Sequence, residues 1–122
     1  MERKKVLVVD DEEQLATLIK MRLEANGFAV VTASDGSQGL EMAVLEQPNL
    51  ILLDVMMPKM DGHEVLRRLK YSEQTRHIPV AMLTARGDTS SILKAQEMGA
   101  KDYLIKPFES DELVEFVKQH VG

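Results

Sequence analysis

The chain has no cysteine, which excludes disulfide frameworks, thiolate metal sites and thiol nucleophiles. Tryptophan is absent and aromatic residues make up only 4% of the sequence, so there is little with which to stack on bases or sugar rings. No apolar run approaches the ~18 residues that a membrane-spanning helix needs. The basic start, Met1-Glu2-Arg3-Lys4-Lys5, is followed by an apolar stretch running only from Val6 to Val9. A secretory signal requires a longer one, and a cytoplasmic location is expected. Positive charge is also in deficit. Lys and Arg number 15 against 20 Asp and Glu, for a net charge of −5, which argues against nucleic acid as a direct partner.

What is present suits one α/β domain. The 122 residues are 44% hydrophobic and 29% charged, and one domain over 1–122 is expected. A chain of this length buries roughly two-thirds of its unfolded surface and folds without a disulfide or structural metal. Four apolar runs stand out: Val6-Leu7-Val8-Val9, Leu50-Ile51-Leu52-Leu53, Ile78 to Leu83, and Tyr103-Leu104-Ile105. They lack polar/apolar alternation, as strands covered on both faces do. A fifth candidate, Phe28 to Ala33, is rich in β-branched residues. Between them lie stripes at helical spacing: Leu15, Leu18, Ile19 and Leu23, closed by Gly27; Leu40, Ala43 and Val44, ended by Pro48; Val65, Leu66 and Leu69; Ile92, Leu93 and Ala95 to Met98, closed by Gly99; and Leu113, Phe116, Val117 and Val121. The order is βα five times over, using residues 4 to 121 and leaving no linker. Such alternation predicts parallel strands with right-handed crossovers in a three-layer sandwich. The flavodoxin-like strand order 2-1-3-4-5 is the expected topology.

In an open α/β sheet, ligands bind beyond the carboxyl ends of the strands. The first strand delivers Asp10-Asp11 there, the third Asp54, the fourth Thr84-Ala85 and the fifth Lys106-Pro107. In the expected order these ends are neighbours. Taken singly, each group has an ordinary reading: an N-cap, a loop residue, a turn hydroxyl, a solvated lysine. Their conjunction is not ordinary. Crowded carboxylates repel unless a cation neutralises them, and hard oxygen donors without His or Cys favour Mg²⁺. With Mg²⁺ and Lys106 the formal charge of Asp10, Asp11 and Asp54 is balanced, so the site can accept a phosphoryl dianion. Thr84 supplies a hydroxyl to donate to it.

At these residues the sequence resembles the receiver domain of two-component response regulators. The likeness covers essentially the whole chain. It is carried by Val8-Val9-Asp10-Asp11-Glu12, by Asp54-Val55-Met56-Met57-Pro58 with Asp61-Gly62, by Leu83-Thr84-Ala85, by Gly99-Ala100-Lys101-Asp102-Tyr103 and by Lys106-Pro107-Phe108. The resemblance implies that Asp54 accepts a phosphoryl group from the histidine of a sensor kinase or phosphotransfer protein. Asp11, Asp54 and the backbone carbonyl of Met56 would bind Mg²⁺, with Asp10 acting largely through water. Lys106 would pair with phosphoryl oxygens, Thr84 would be the switch hydroxyl and Tyr103 the switch aromatic. The Lys106–Pro107 bond would be cis. Met56 and Arg86 match positions that tune how long the phosphoryl group lasts, and both are expected to shield it. Leu15 and Phe108 become candidates for docking the kinase.

Other features are not promoted. His63, His77 and His120 lack metal-site spacing and are expected at the surface. Met56, Met57 and Met60 around Pro58 read as loop packing, and Arg67, Arg68 and Lys70 as a solvated helix face. Two competing readings remain. A haloacid-dehalogenase-like phosphohydrolase would need a second Asp two residues after the nucleophile, where Met56 stands. A receiver that works without phosphorylation would be expected to have lost site residues, and all are present. The resemblance does not imply a metabolic enzyme: only self-phosphorylation and autodephosphorylation are expected. The last helix lacks the arginines of receivers that dimerise to pair DNA-binding domains, which predicts a monomer or a weak, activation-dependent dimer. Output would pass through a downstream effector protein.

Overall fold

The computed structural model describes residues 3–85 and 88–121. The elements follow the expected alternation: β1 (Lys5–Val9), α1 (Glu13–Ala25), β2 (Ala29–Ala33), α2 (Gly36–Glu46), β3 (Leu50–Asp54), α3 (Gly62–Tyr71), β4 (Val80–Ala85), α4 (Thr89–Glu97), β5 (Asp102–Lys106) and α5 (Ser110–His120). The sheet order is β2-β1-β3-β4-β5, with every neighbouring pair parallel. This is the flavodoxin-like three-layer fold.

Strand runs that look uniformly apolar still obey the period of two, because each face meets a different layer of helices. Val6, Val8, Leu50, Leu52, Ala81, Leu83 and Leu104 join one core with the buried residues of α1 and α5. Leu7, Val9, Ile51, Leu53, Val80 and Met82 join the other, with α3 and Ala95 of α4. Both cores extend to the carboxyl ends of the central strands, and the polar groups sit where the apolar runs stop.

The helices end for local reasons. Gly27 follows the C-cap of α1 at φ +91°, a left-handed conformation that costs glycine little, as its expected closing role requires. Asp61 caps α3, its carboxylate accepting from the Glu64 N–H at 3.0 Å.

Several expected core positions face outward instead. Leu18, Val44 and Leu93 are exposed, because helix stripes that look continuous in sequence are wider than the strip the sheet covers. The histidine expectation also needs correction. His63 is buried in the first turn of α3, and its Nε2 lies 3.1 Å from the Ser91 carbonyl of α4. His120 is half-buried, stacked on Phe116 and 3.0 Å from Asp102. Lys70 likewise leaves the solvated face assigned to it. Its ammonium donates to the carbonyls of Arg76 and Ile78, while Arg67 and Arg68 stay exposed and pair with Glu64.

Candidate functional site

The sheet register assembles the site. Val9 is level with Leu53, Asp54 with Leu83, and Ala85 with Lys106, so the polar groups emerge at the same end of adjacent strands, Thr84 and Lys106 slightly beyond the level of Asp54. Strand alternation gives Asp10, Asp54 and Lys106 the parity of the α1/α5 face. Thr84 has the opposite parity, toward α3 and α4.

Carboxylate oxygens of Asp10, Asp11 and Asp54 all lie within 4.8 Å of one another. Asp10 and Asp54 are buried and Asp11 is exposed. None of the three caps a helix. The N-cap of α1 is Glu12, and no side chain accepts there. Asp10 instead accepts from the Glu12 N–H at 2.9 Å, which turns the chain after β1.

Lys106 holds the cluster together. Its Nζ is 3.1 Å from Asp10, 3.2 Å from Asp54 and 3.5 Å from Glu12. Burial works against its charge, but Asp54 and Asp10 outweigh that and hold its pKa above the ordinary lysine value. The Asp54 carboxyl is pushed up to about 6, chiefly by burial and then by the charge of Asp10, with Lys106 and the Met56 N–H opposing. A carboxylate this reluctant to ionise marks a site that favours a cation. The donors are hard oxygens without histidine or sulfur, which fits Mg²⁺ better than zinc or copper. Glu12 was not among the residues singled out as site groups, although it adjoins Asp10-Asp11. Only folding brings Lys106 to it: β5 is the edge strand beyond β3 and β4, and the lysine side chain reaches back across the strand ends.

Thr84 is 1% exposed, and among the described residues its Oγ1 has no hydrogen-bond partner. A buried hydroxyl left unpaired costs on the order of 1–3 kcal/mol, and this one stands at the strand end able to donate to an oxygen brought there. Met56 stands 73% exposed on the rim of the site, while Met57 is buried, consistent with loop packing for the latter alone. Tyr103 is half-buried against the α3/α4 core and lines a cleft with Phe116. The Lys106–Pro107 bond is cis, in line with the resemblance. Arg86 lies outside the described residues. Beside the site, Glu12, Leu15, Leu18, Lys106, Pro107 and Phe108 line an open, mostly apolar cleft of about 460 Å³.

The chain belongs to the response regulator receiver domain family, whose model matches residues 6–118. It is 47% identical over 115 residues to the alkaline phosphatase synthesis transcriptional regulatory protein PhoP of Bacillus subtilis, covering 94% of this chain and 47% of that protein. Among solved structures, chemotaxis protein CheY4 of Vibrio cholerae superposes with a TM-score of 0.92 at 29% identity, covering 98% of this chain and 99% of that one. A response regulator receiver domain protein from Clostridium thermocellum gives 0.88 at 33% identity, covering 97% and 94%. The chain spans about half the length of the curated relatives it matches. It is a receiver domain of two-component signalling, not a metabolic enzyme. No helix among the described residues is long and apolar enough to cross a membrane.

Proposed function

We propose that Asp54 accepts a phosphoryl group from the phosphohistidine of a sensor kinase or phosphotransfer protein. The observation that carries this reading is the buried Asp54 carboxylate, clustered with Asp10, Asp11 and Lys106 and set beside the unpaired Thr84 hydroxyl. A carboxylate oxygen of Asp54 attacks phosphorus in line: the O–P bond forms as the P–N bond to the donor histidine breaks. Lys106 stabilises the equatorial oxygens as charge redistributes among them. Asp10, Asp11 and Asp54, with the Met56 carbonyl, are the groups that would hold Mg²⁺, which supplies charge neutralisation when bound. The catalysis is the chain's own, so a small phosphodonor can replace the kinase.

Thr84 then donates to a phosphoryl oxygen, a step that the small Ala85 side chain leaves room for. Movement of Thr84 vacates space into which Tyr103 turns, and the face formed by α4, β5 and α5 changes its partner preference. The output partner is an effector protein that reads this face, and the setting is the cytoplasm, where kinase and Mg²⁺ are at hand. The apolar cleft at Leu15, Leu18 and Phe108 shares Glu12 and Lys106 with the site, which supports docking of the kinase helices there.

Acetyl phosphate with Mg²⁺ is expected to label the wild-type chain and to leave Asp54→Asn unlabelled. Incorporation into the Asp54→Asn variant would remove the assignment. Met56 is expected to shield the acyl phosphate from water. Met56→Asn, which can instead orient an attacking water, is expected to speed loss of label about ten-fold, equivalent to about 1.4 kcal/mol of barrier. Decay curves that superpose would remove the shielding role.

A further inference from the structure

α4 is loosely held. Only Ala95 of its residues is buried, and its N-cap Asp88 makes no side-chain capping bond. Among the described residues, one side-chain hydrogen bond reaches this helix, and it comes from His63. A carbonyl oxygen has no proton to give, so the His63 Nε2–H is the donor to Ser91. The bond joins the first turn of α3 to the start of α4.

The other end of this connection is fixed. Gly62, adjacent to His63, sits so close to β3 that a Cβ there would lie 2.2 Å from the Asp54 carbonyl oxygen. Its N–H also donates to the Val55 carbonyl at 2.9 Å. His63 is therefore carried on the same rigid ground as Asp54, and its ring reaches across to a helix that is otherwise weakly seated. Thr84 has the strand parity of the side on which α4 lies, and α4 begins five residues after it.

We propose that His63 is a positioning residue: its hydrogen bond to Ser91 restrains α4 in the arrangement in which Thr84 is unpaired, and so opposes the switch. The inference rests on the phosphoryl switch proposed above, and it places a restraint on α4 separate from Thr84 and Tyr103. In the proposed switch the ligand-bound arrangement displaces α4, so any free energy in the restraint is subtracted from ligand affinity.

The test compares wild type with His63→Phe, which keeps a ring in the buried site but has no donor, and His63→Gln, which restores an N–H donor. Ser91 keeps its helical partner in both, so neither variant leaves a buried orphan. Amide exchange is measured across α4 without metal, and the affinity for beryllofluoride with Mg²⁺ is then titrated. His63→Phe is expected to exchange about three- to ten-fold faster in α4 and to bind beryllofluoride tighter by a similar factor, as loss of one net hydrogen bond implies. His63→Gln is expected to match wild type in both. Unchanged exchange in His63→Phe, unchanged or weaker beryllofluoride binding, or failure of Gln to rescue would each overturn the proposal. If wild type itself did not bind beryllofluoride, the phosphoryl-switch reading would fail, while the exchange data would still decide whether His63 restrains α4.

Discussion

In magnesium-free buffer at pH 8, Asp54→Asn is expected to unfold at higher urea than the wild-type chain, by about 2–3 kcal/mol. Burial and the neighbouring Asp10 raise the folded-state pKa of Asp54 from 3.8 to about 6, despite Lys106. The folded chain therefore holds this proton more tightly than the unfolded chain. Below pH 3.8 both states are protonated and Asp54 costs nothing. As pH rises through 6 the folded state must carry the buried charge, and stability falls by the full amount. Asparagine never carries that charge, so the two proteins should converge near pH 4 and diverge above it. Mg²⁺ reverses the comparison, since a cation bound only to the folded state stabilises it through mass action. It should raise the wild-type midpoint and move that of Asp54→Asn far less. Equal midpoints at pH 8, or the same Mg²⁺ shift in both, would show that Asp54 neither bears this cost nor binds the metal.

That trade defines the site. Acidic groups are brought together at the strand ends against their own repulsion, and one lysine spans Asp10, Asp54 and Glu12. A fold selected for stability alone would place neutral groups there. In the phosphoryl transfer proposed above, that charge serves as the nucleophilic carboxylate, with a cation to neutralise its neighbours.

The sheet order and the polar strand ends were legible because both follow from local pattern. Short apolar runs alternating with helical stripes leave little topological freedom, and residues just past each run must lie at one end of a parallel sheet. Contacts made between elements were not legible. Nothing around His63 in the sequence indicates that Ser91 will lie beside it, since the two meet only once α3 and α4 pack on the same face. Lys70 looked like part of a basic run, yet it turns to the carbonyls of the loop that follows its own helix. Leu18, Val44 and Leu93 continue stripes whose width exceeds the surface the sheet offers. Periodicity indicates which side of a helix is apolar, not how far burial extends around it.

The largest single-residue effect is expected at Gly62. An added Cβ would meet the Asp54 carbonyl oxygen at 2.2 Å, the Val55 Cα at 2.8 Å and the Asp54 carbonyl carbon at 3.0 Å. All three are backbone atoms of β3 and its exit, and they cannot rotate away. Gly36 provides the contrast: its nearest neighbours would be Val65 Cγ2 at 2.6 Å, then Met60 side-chain atoms at 3.2 Å. Val65 is buried and stiff at χ1, but shifting a side chain costs less than shifting backbone, and alanine recovers up to about 1 kcal/mol over glycine within a helix. Gly62→Ala is therefore expected to cost about 3 kcal/mol or more in urea unfolding, and Gly36→Ala about 1 kcal/mol or less. What remains folded of Gly62→Ala should have α3 pushed off β3, with Asp54 displaced relative to Lys106. Its labelling by acetyl phosphate should then fall further than the folded fraction does, whereas Gly36→Ala should label in proportion to folded protein. A Gly62→Ala variant with the wild-type urea midpoint and labelling rate would show that α3 is not seated against β3 as closely as the 2.9 Å bond from Gly62 to Val55 indicates.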